Sequence, residues 1–420
     1  MRLPPTRSER LAHGARSVHV DWSGAPFTEI RLILPVFRRS RREAALAQVL
    51  GRLLPLGPSD PGAAAHAERM LGHGGSVTST GAVDRITVAA TIPPEGGDAV
   101  LAELMARLES PAFTPEAVDE AIAGELDRLR RTAALREVRL HEALTQRRWG
   151  TDHPYTRSIA AARDLADLTP DDVTSYARRV LSLDGAAVVA VGDLGTRGGT
   201  DWTGTSARLR DRLAAVSPPG SPGPLPQDPG PRGGAAVAVP VPAGEPTASL
   251  RIWTPAPVRQ HPDHAALHLF STCLGGHFGS RLVQELRERR GDVYGVTAGF
   301  EVLATAATQA LVLETPAERL DAVRATVAAT IEDLRTAGPD DAELAAAVRY
   351  ATSAATVGMS HPASLASAGA TVVFGGDSFD LWARQAAAAR RTGPREVAAA
   401  GARYAGGDGL IEVVTAPTAR

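Results

Sequence analysis

A Pro/Gly-rich run in the middle of the chain constrains the fold more than any other feature. Residues 195–234 read Gly-Thr-Arg-Gly-Gly-Thr and later Ser-Pro-Pro-Gly-Ser-Pro-Gly-Pro-Leu-Pro-Gln-Asp-Pro-Gly-Pro-Arg-Gly-Gly. Such a run continues neither a helix nor a central strand, so it reads as a linker. It divides the 420 residues into an N-terminal domain, 1–194, and a C-terminal domain, 235–420. The two repeat one plan. A strand-like segment (29–36; 248–253) leads to an Ala/Leu-rich helix (43–54; 265–273) and a second helix (63–71; 280–289). A strand (83–92; 293–303) and two long helices (99–108 and 115–131; 320–334 and 341–353) follow. The first half closes on a helix with Thr169 as N-cap and Pro170 at its first turn, then the strand Ala-Ala-Val-Val-Ala-Val-Gly from Ala186. The pattern predicts an α+β chain of two homologous halves, each a mostly antiparallel sheet covered by helices.

Composition removes several classes of function. A hydrophobic content of 44% and a charged content of 22% are those of a soluble globular protein. A net charge of −2 favours neither nucleic acid nor an anionic membrane as partner. No apolar run nears the roughly 20 residues of a membrane span, and the start lacks the apolar core of a signal peptide. The expected compartment is the cytoplasm. Cys273 is the single cysteine, which excludes an internal disulfide and a cysteine metal cluster. The absence of Lys and Asn points to a GC-rich bacterial genome. There is no Gly-x-Ser-x-Gly elbow and no phosphate loop. His264 and His268 are four apart, yet no carboxylate stands in His-x-x-Glu-His register and no cysteine ligand is placed with them, so they read as exposed helix histidines. His66 likewise reads as a surface residue.

The densest signal is the stretch from Leu274 to Phe300. Gly275-Gly276-His277-Phe278-Gly279-Ser280 leads into a charged helix, and Arg287 on that helix is seven positions before Tyr294, where a strand opens. Gly291 can stop the helix between them. This stretch resembles the C-terminal-half signature of the M16 metallopeptidase family (insulinase, pitrilysin, mitochondrial processing peptidase). Gly74-Gly75-Ser76 followed by Asp84, the loop His153-Pro154-Tyr155, and Leu168-Thr-Pro-Asp-Asp are similar to further family motifs in the same order. The resemblance covers nearly all of both halves and implies an M16/LuxS-metallohydrolase-like fold.

The family's zinc motif is His-x-x-Glu-His on a helix, two ligands four apart with a general base between them. The apolar frame from Ala47 to Leu54 fixes the register. Gln48 and Arg52 then stand at the ligand positions and Gly51 at the base position. Gln is a poor zinc ligand, a guanidinium repels a cation, and glycine offers no side-chain base. Glu125 falls near the third ligand position and reads as a solvated helix charge.

What the resemblance implies is a non-zinc (M16B-type) subunit. Arg287 would hold the substrate backbone, Tyr294 would donate to the oxyanion, and the loop Gly275 to Ser280 would touch the peptide. No cofactor is expected in this chain. Zinc is expected in a His-x-x-Glu-His-bearing homologue that pairs with it as a heterodimer. The substrate would be an unfolded peptide, and leader-peptide removal in natural-product maturation is one fitting role. The alternative is a non-enzymatic scaffold or peptide-binding homologue.

Overall fold

The computed structural model of the protein describes all residues except 1–3, 58–59, 94–96, 158–159, 195–203, 219, 231 and 418–420. It has two sheets. The first is built from β1 (Thr6–Arg10), β2 (Arg16–Asp21), β3 (Thr28–Pro35), β4 (Ser76–Gly81), β5 (Arg85–Ile92) and β6 (Ala187–Gly192), in the order β1-β2-β6-β3-β5-β4. The second is built from β7 (Val237–Val241), β8 (Thr247–Ala256), β9 (Val296–Val302), β10 (Ala307–Pro316) and β11 (Ile411–Pro417), in the order β7-β11-β8-β10-β9. The second order repeats the first strand for strand once β1 is set aside. Each sheet also has a single parallel pair at the same place, β2 with β6 and β7 with β11. The expected α+β duplication is therefore present in the topology itself. Both sheets carry one strand more in the region after the second helix than the sequence pattern indicated. β4 and β10 are separate strands there, paired with β5 and β9.

β6 shows why each sheet needs two covering layers. Its sequence Ala-Val-Val-Ala-Val-Gly is apolar on both faces, and every residue is buried. On one face, Leu32, Leu34, Val88 and Val188 join the core made with helix Arg41–Leu53 and helix Pro170–Val180. Helix Pro170–Val180 starts as expected, with the Thr169 hydroxyl accepting from the Asp172 N–H and Pro170 at its first turn. The other face, which carries Glu29 and Arg31, is covered by helix Pro362–Phe374 from the far end of the chain. There Arg31 pairs with Glu29 at 3.0 Å and donates to Ser367 Oγ, also at 3.0 Å.

The second sheet is covered in the mirrored way. Leu250, Leu311, Leu313 and Val414 join one core, with Leu267 and Phe270 of helix His264–Ser271. Trp253, Ile411 and Val413 on the opposite face meet Leu140 and Leu144 of helix Arg136–Trp149, which comes from the N-terminal half. Arg251 on that face pairs with Glu137 of the same helix. The compact units are consequently not the two halves of the sequence. The first comprises 1–132, 157–226 and 358–381, and the second 133–156, 227–357 and 382–420.

The segment 195–234 also departs from a plain linker. Residues 195–203 lie outside the described residues, but Gly204–Ala215 is a helix. Leu209, Leu213 and Val216 recur at helical spacing and are buried in the first core. Ser206 Oγ sits 2.6 Å from His19 Nδ1, and Ser17 Oγ lies 2.9 Å from the other ring nitrogen. Burial holds that imidazole neutral, with a pKa down at about 3. The Pro/Gly run beyond is bound rather than free. Gly220 and Ser221 donate to the carbonyls of Leu181 and Arg179, and the fully buried Arg148 holds Asp228 at 2.8 Å and the Gly230 carbonyl. Proline and glycine there set an extended path over a surface; they do not make a spacer.

The exchange of helices yields a direct expectation. Residues 1–194 expressed alone lack the 362–374 cover, so they should be aggregation-prone, with weak near-ultraviolet circular dichroism. Co-expressed 1–226 and 227–420 should purify as one folded species. Separately stable, monomeric 1–194 would contradict the packing.

Candidate functional site

Helix Arg41–Leu53 is capped by Ser40, whose hydroxyl accepts from the Glu43 N–H. Ala44, Ala47, Val49, Leu50 and Leu53 are buried, which leaves Gln48 and Arg52 on a common face one turn apart. That face meets helix Pro115–Thr132. Arg52 Nε lies 2.5 Å from Glu125 Oε1, and Arg128 Nε lies 2.7 Å from the other carboxylate oxygen. Glu125 is only 5% exposed, so the reading of a solvated charge is corrected. A buried carboxylate requires a counter-charge, and Arg52 supplies it from the position where the family's second zinc ligand would stand. The guanidinium lies over Gly124, where a Cβ would make ordinary contact with Arg52 Nη1 at 3.4 Å. The Gly51 carbonyl accepts from the Ser79 hydroxyl of β4. Gln48 Oε1 is buried with no hydrogen-bond partner among the described residues.

This donor set does not suit zinc. Its one carboxylate is engaged by two guanidinium groups, the remaining side chains are an amide and a fixed cation, and a divalent ion beside Arg52 would be repelled. Among the described residues no group of three or more His, Cys, Asp or Glu side chains is arranged to hold a metal.

The second cluster lies in the second unit. Helix His264–Ser271 runs on into a π-helical turn, Thr272–Gly276, and a second π-helix spans Val283–Arg289. The segment Gly275 to Ser280 between them is a compact turn, and its glycines do not take positive φ. Gly275 is needed for proximity instead, because a Cβ there would sit 2.8 Å from Val296 Cγ1 of β9. Gly276 lies near the Ser271 carbonyl, and Gly279 donates to His277 Nδ1 at 3.0 Å. The Ser280 hydroxyl donates to the His277 carbonyl at 2.6 Å. Arg281 fixes the exit of the turn through Glu343 at 2.8 Å and Asp333 at 2.7 Å.

Arg287 and Tyr294 are brought together. Gly291 takes φ +64°, the left-handed value that favours glycine. The N–H groups of Gly291 and Asp292 close back on the carbonyls of Arg287 and Leu286. Asp292 is buried, pairs with Arg290 at 2.7 Å and accepts from the Thr315 hydroxyl through its carbonyl. These contacts reverse the chain so that Tyr294 stands beside the helix. The Arg287 guanidinium carbon lies 5.7 Å from the Tyr294 ring centre and 5.9 Å from that of Phe278, within cation–π range of both. Phe278 is 63% and Tyr294 90% exposed. A cation and two aromatic rings thus form a solvent-facing triad, and the Tyr294 phenol is presented for donation. His277 turns the other way and stacks on Tyr350 at 5.2 Å.

Several side chains escaped the sequence reading. His264 is buried, not exposed; its Nδ1 is 3.1 Å from the Pro257 carbonyl and its ring lies parallel to that of His268. His66 is buried too, between the Val77 carbonyl at 3.2 Å and Asp60 at 3.4 Å. The Arg52–Glu125 pair was available in principle as opposite charges at matching helical positions. The pairing of Arg287 with Phe278 depends on the turn between them and left no pattern.

Residues 167–350 match the family model for the peptidase M16 inactive domain. No curated protein matches the chain in sequence. In structure it is similar to a peptidase M16 inactive domain from Pseudomonas fluorescens, at 20% identity and a TM-score of 0.84 over 99% of this chain and 98% of that one. It is similar as well to a protease from Helicobacter pylori, at 16% identity and a TM-score of 0.81 over 99% and 100%. A third likeness is to the periplasmic protease PqqL from Escherichia coli, at 16% identity and a TM-score of 0.71, covering 99% of this chain and 47% of that longer one. Residues 167–350 thus match the inactive domain of the M16 peptidases, and the chain over its whole length has the fold of those solved structures.

Proposed function

We propose that the chain is the non-zinc subunit of a two-chain M16-type peptidase and completes the active site of a zinc-bearing homologue. The observation that carries this reading is the solvent-facing triad of Arg287, Tyr294 and Phe278. Two large exposed rings flank a cation that is otherwise paired only with its neighbour Glu288 among the described residues, and such patches mark contact with a partner or ligand. The donor set at Gln48, Gly51 and Arg52 supports a division of labour in which metal, water and base come from the other chain. Coverage of only 47% of the longer PqqL chain is compatible with a second unit of similar size in a full assembly.

In the proposed reaction Arg287 donates to a main-chain carbonyl of an extended peptide and fixes its register. The Tyr294 hydroxyl donates to the oxygen that becomes negative when water adds to the scissile carbonyl. That charge exists only on the way to the tetrahedral intermediate, so the bond accelerates the step rather than tightening binding. Phe278 and its neighbouring glycines pack along the peptide. Leader-peptide removal in a cytoplasmic pathway is the substrate role we favour.

Two outcomes test this. The isolated chain should contain no stoichiometric zinc by elemental analysis. The triple variant Gln48→His, Gly51→Glu, Arg52→His should take up about one zinc per chain and lose it again on adding Glu125→Ala, because a Cβ at Gly51 meets nothing within 4 Å and the two histidines would then join Glu125 as three donors.

In a complex with a zinc-bearing homologue, Tyr294→Phe should lower kcat by about 10²-fold with KM little changed, the low end of the loss expected for one such donor. Arg287→Ala should damage both kcat and KM, while Arg289→Ala stays near wild type. Full activity of Tyr294→Phe in an intact complex would favour a scaffold role.

A further inference from the structure

The second unit contains a cavity of about 420 Å³ that the proposed peptidase step does not use. Its size falls within the roughly 300–1,000 Å³ of small-ligand sites. Five rings line it: His264, His268, Phe300, Tyr350 and Trp382. Small residues from four elements leave the space open, among them Gly276, Ala298, Ala355 and Ala386. Two polar atoms in its wall are buried without a hydrogen-bond partner among the described residues, Ser271 Oγ and Gln385 Nε2. Ser271 is 1% exposed, so its hydroxyl has no access to bulk water. Both groups can donate, and buried donors are nearly always paired. Arg259 is the one charged side chain in the lining, and no carboxylate faces the space.

We propose that this cavity binds a carboxylate attached to an aromatic or bulky apolar group, as in the free C-terminal residue of a peptide or in a free aromatic acid. The rings and alanines take the apolar body. Gln385 Nε2, Ser271 Oγ and the Arg259 guanidinium supply donors to the carboxylate oxygens. The histidines do not compete for the charge, since desolvation among the cavity's rings and then the neighbouring Arg259 lower His268, and burial brings His264 down to about 4. An amine ligand is disfavoured, because it would meet Arg259 and find no acid. The cavity adjoins the triad through one short backbone stretch: Gly276 lines it, His277 stacks on its Tyr350, and Phe278 lies against Arg287. The inference concerns binding by this chain alone and does not rest on the cleavage reading.

The test is calorimetric titration of the isolated full chain, with tryptophan fluorescence as a second readout because Trp382 lines the cavity. The probes are N-acetyl-phenylalanine, its C-terminal amide, and a hexapeptide ending in Phe as free acid and as amide. The acids should bind, and each amide should bind about tenfold or more weaker, the effect of losing a charge-assisted bond. Arg259→Gln should remove the difference between acid and amide. Ala386→Phe, which fills the space, should weaken acid binding by about tenfold or more with the circular dichroism spectrum unchanged. Tighter binding of the peptide acid identifies a peptide end as the source, and equal binding identifies the free acid. Equal affinity of acid and amide for the wild-type chain would overturn the proposal, as would wild-type binding by a folded Ala386→Phe. Should Ala386→Phe fail to fold, Arg259→Gln decides alone, and a retained acid preference in it counts against the site.

Discussion

The central strands of both sheets are buried on both faces, and in each sheet one of those faces is covered by a helix from the other half of the sequence. The remaining structure follows from that constraint. β6 cannot sit at a surface, because either face would expose valine and alanine to water. Helix Pro362–Phe374 covers it, and helix Arg136–Trp149 does the same for the sheet of β7 to β11. The two covering helices enter from the opposite halves of the sequence, so each sheet is completed by residues far away along the chain. Arg31 and Arg251 mark the covered faces, each a strand arginine paired with a glutamate.

The same duplicated frame holds two sites of different character. In the first unit the residues at the family's metal position close on themselves: Arg52 brings a positive charge to Glu125, and the helices pack without an ion. One fixed unit charge there balances a buried carboxylate and offers no open coordination position. In the second unit, the helix that follows β8 runs into the π-turn Thr272–Gly276, and a cavity opens beside it.

Much of this was legible in the sequence, for identifiable reasons. The cap at Thr169 and Pro170 and the buried run of β6 are local signals, and they fixed their elements to within a residue or so. The triad's Arg and Tyr were legible as a motif. The exchange of helices was not, since an amphipathic helix records that it has a buried face but not which sheet it buries against. The 204–215 helix was hidden by the Pro and Gly on either side, although Leu209 and Leu213 carry its period. Glu125 and His66 misled because charge and polarity read as exposure unless the partner, here Arg52 or the Val77 carbonyl, is already known.

The wide helical turns at Thr272–Gly276 and Val283–Arg289 have a consequence of phase. A π-turn is an α-helix holding one residue too many, and that residue rotates everything after it by about 100°. Arg287 faces Phe278 and Tyr294 only at this count of residues. The triad is thus specified by length as well as by identity: a single-codon deletion in 283–286 would leave Phe278, Arg287 and Tyr294 in the protein and yet aim Arg287 at a different neighbour. This helix is therefore exposed to a kind of loss that no substitution produces, an error of arithmetic in the chain rather than a change of chemistry.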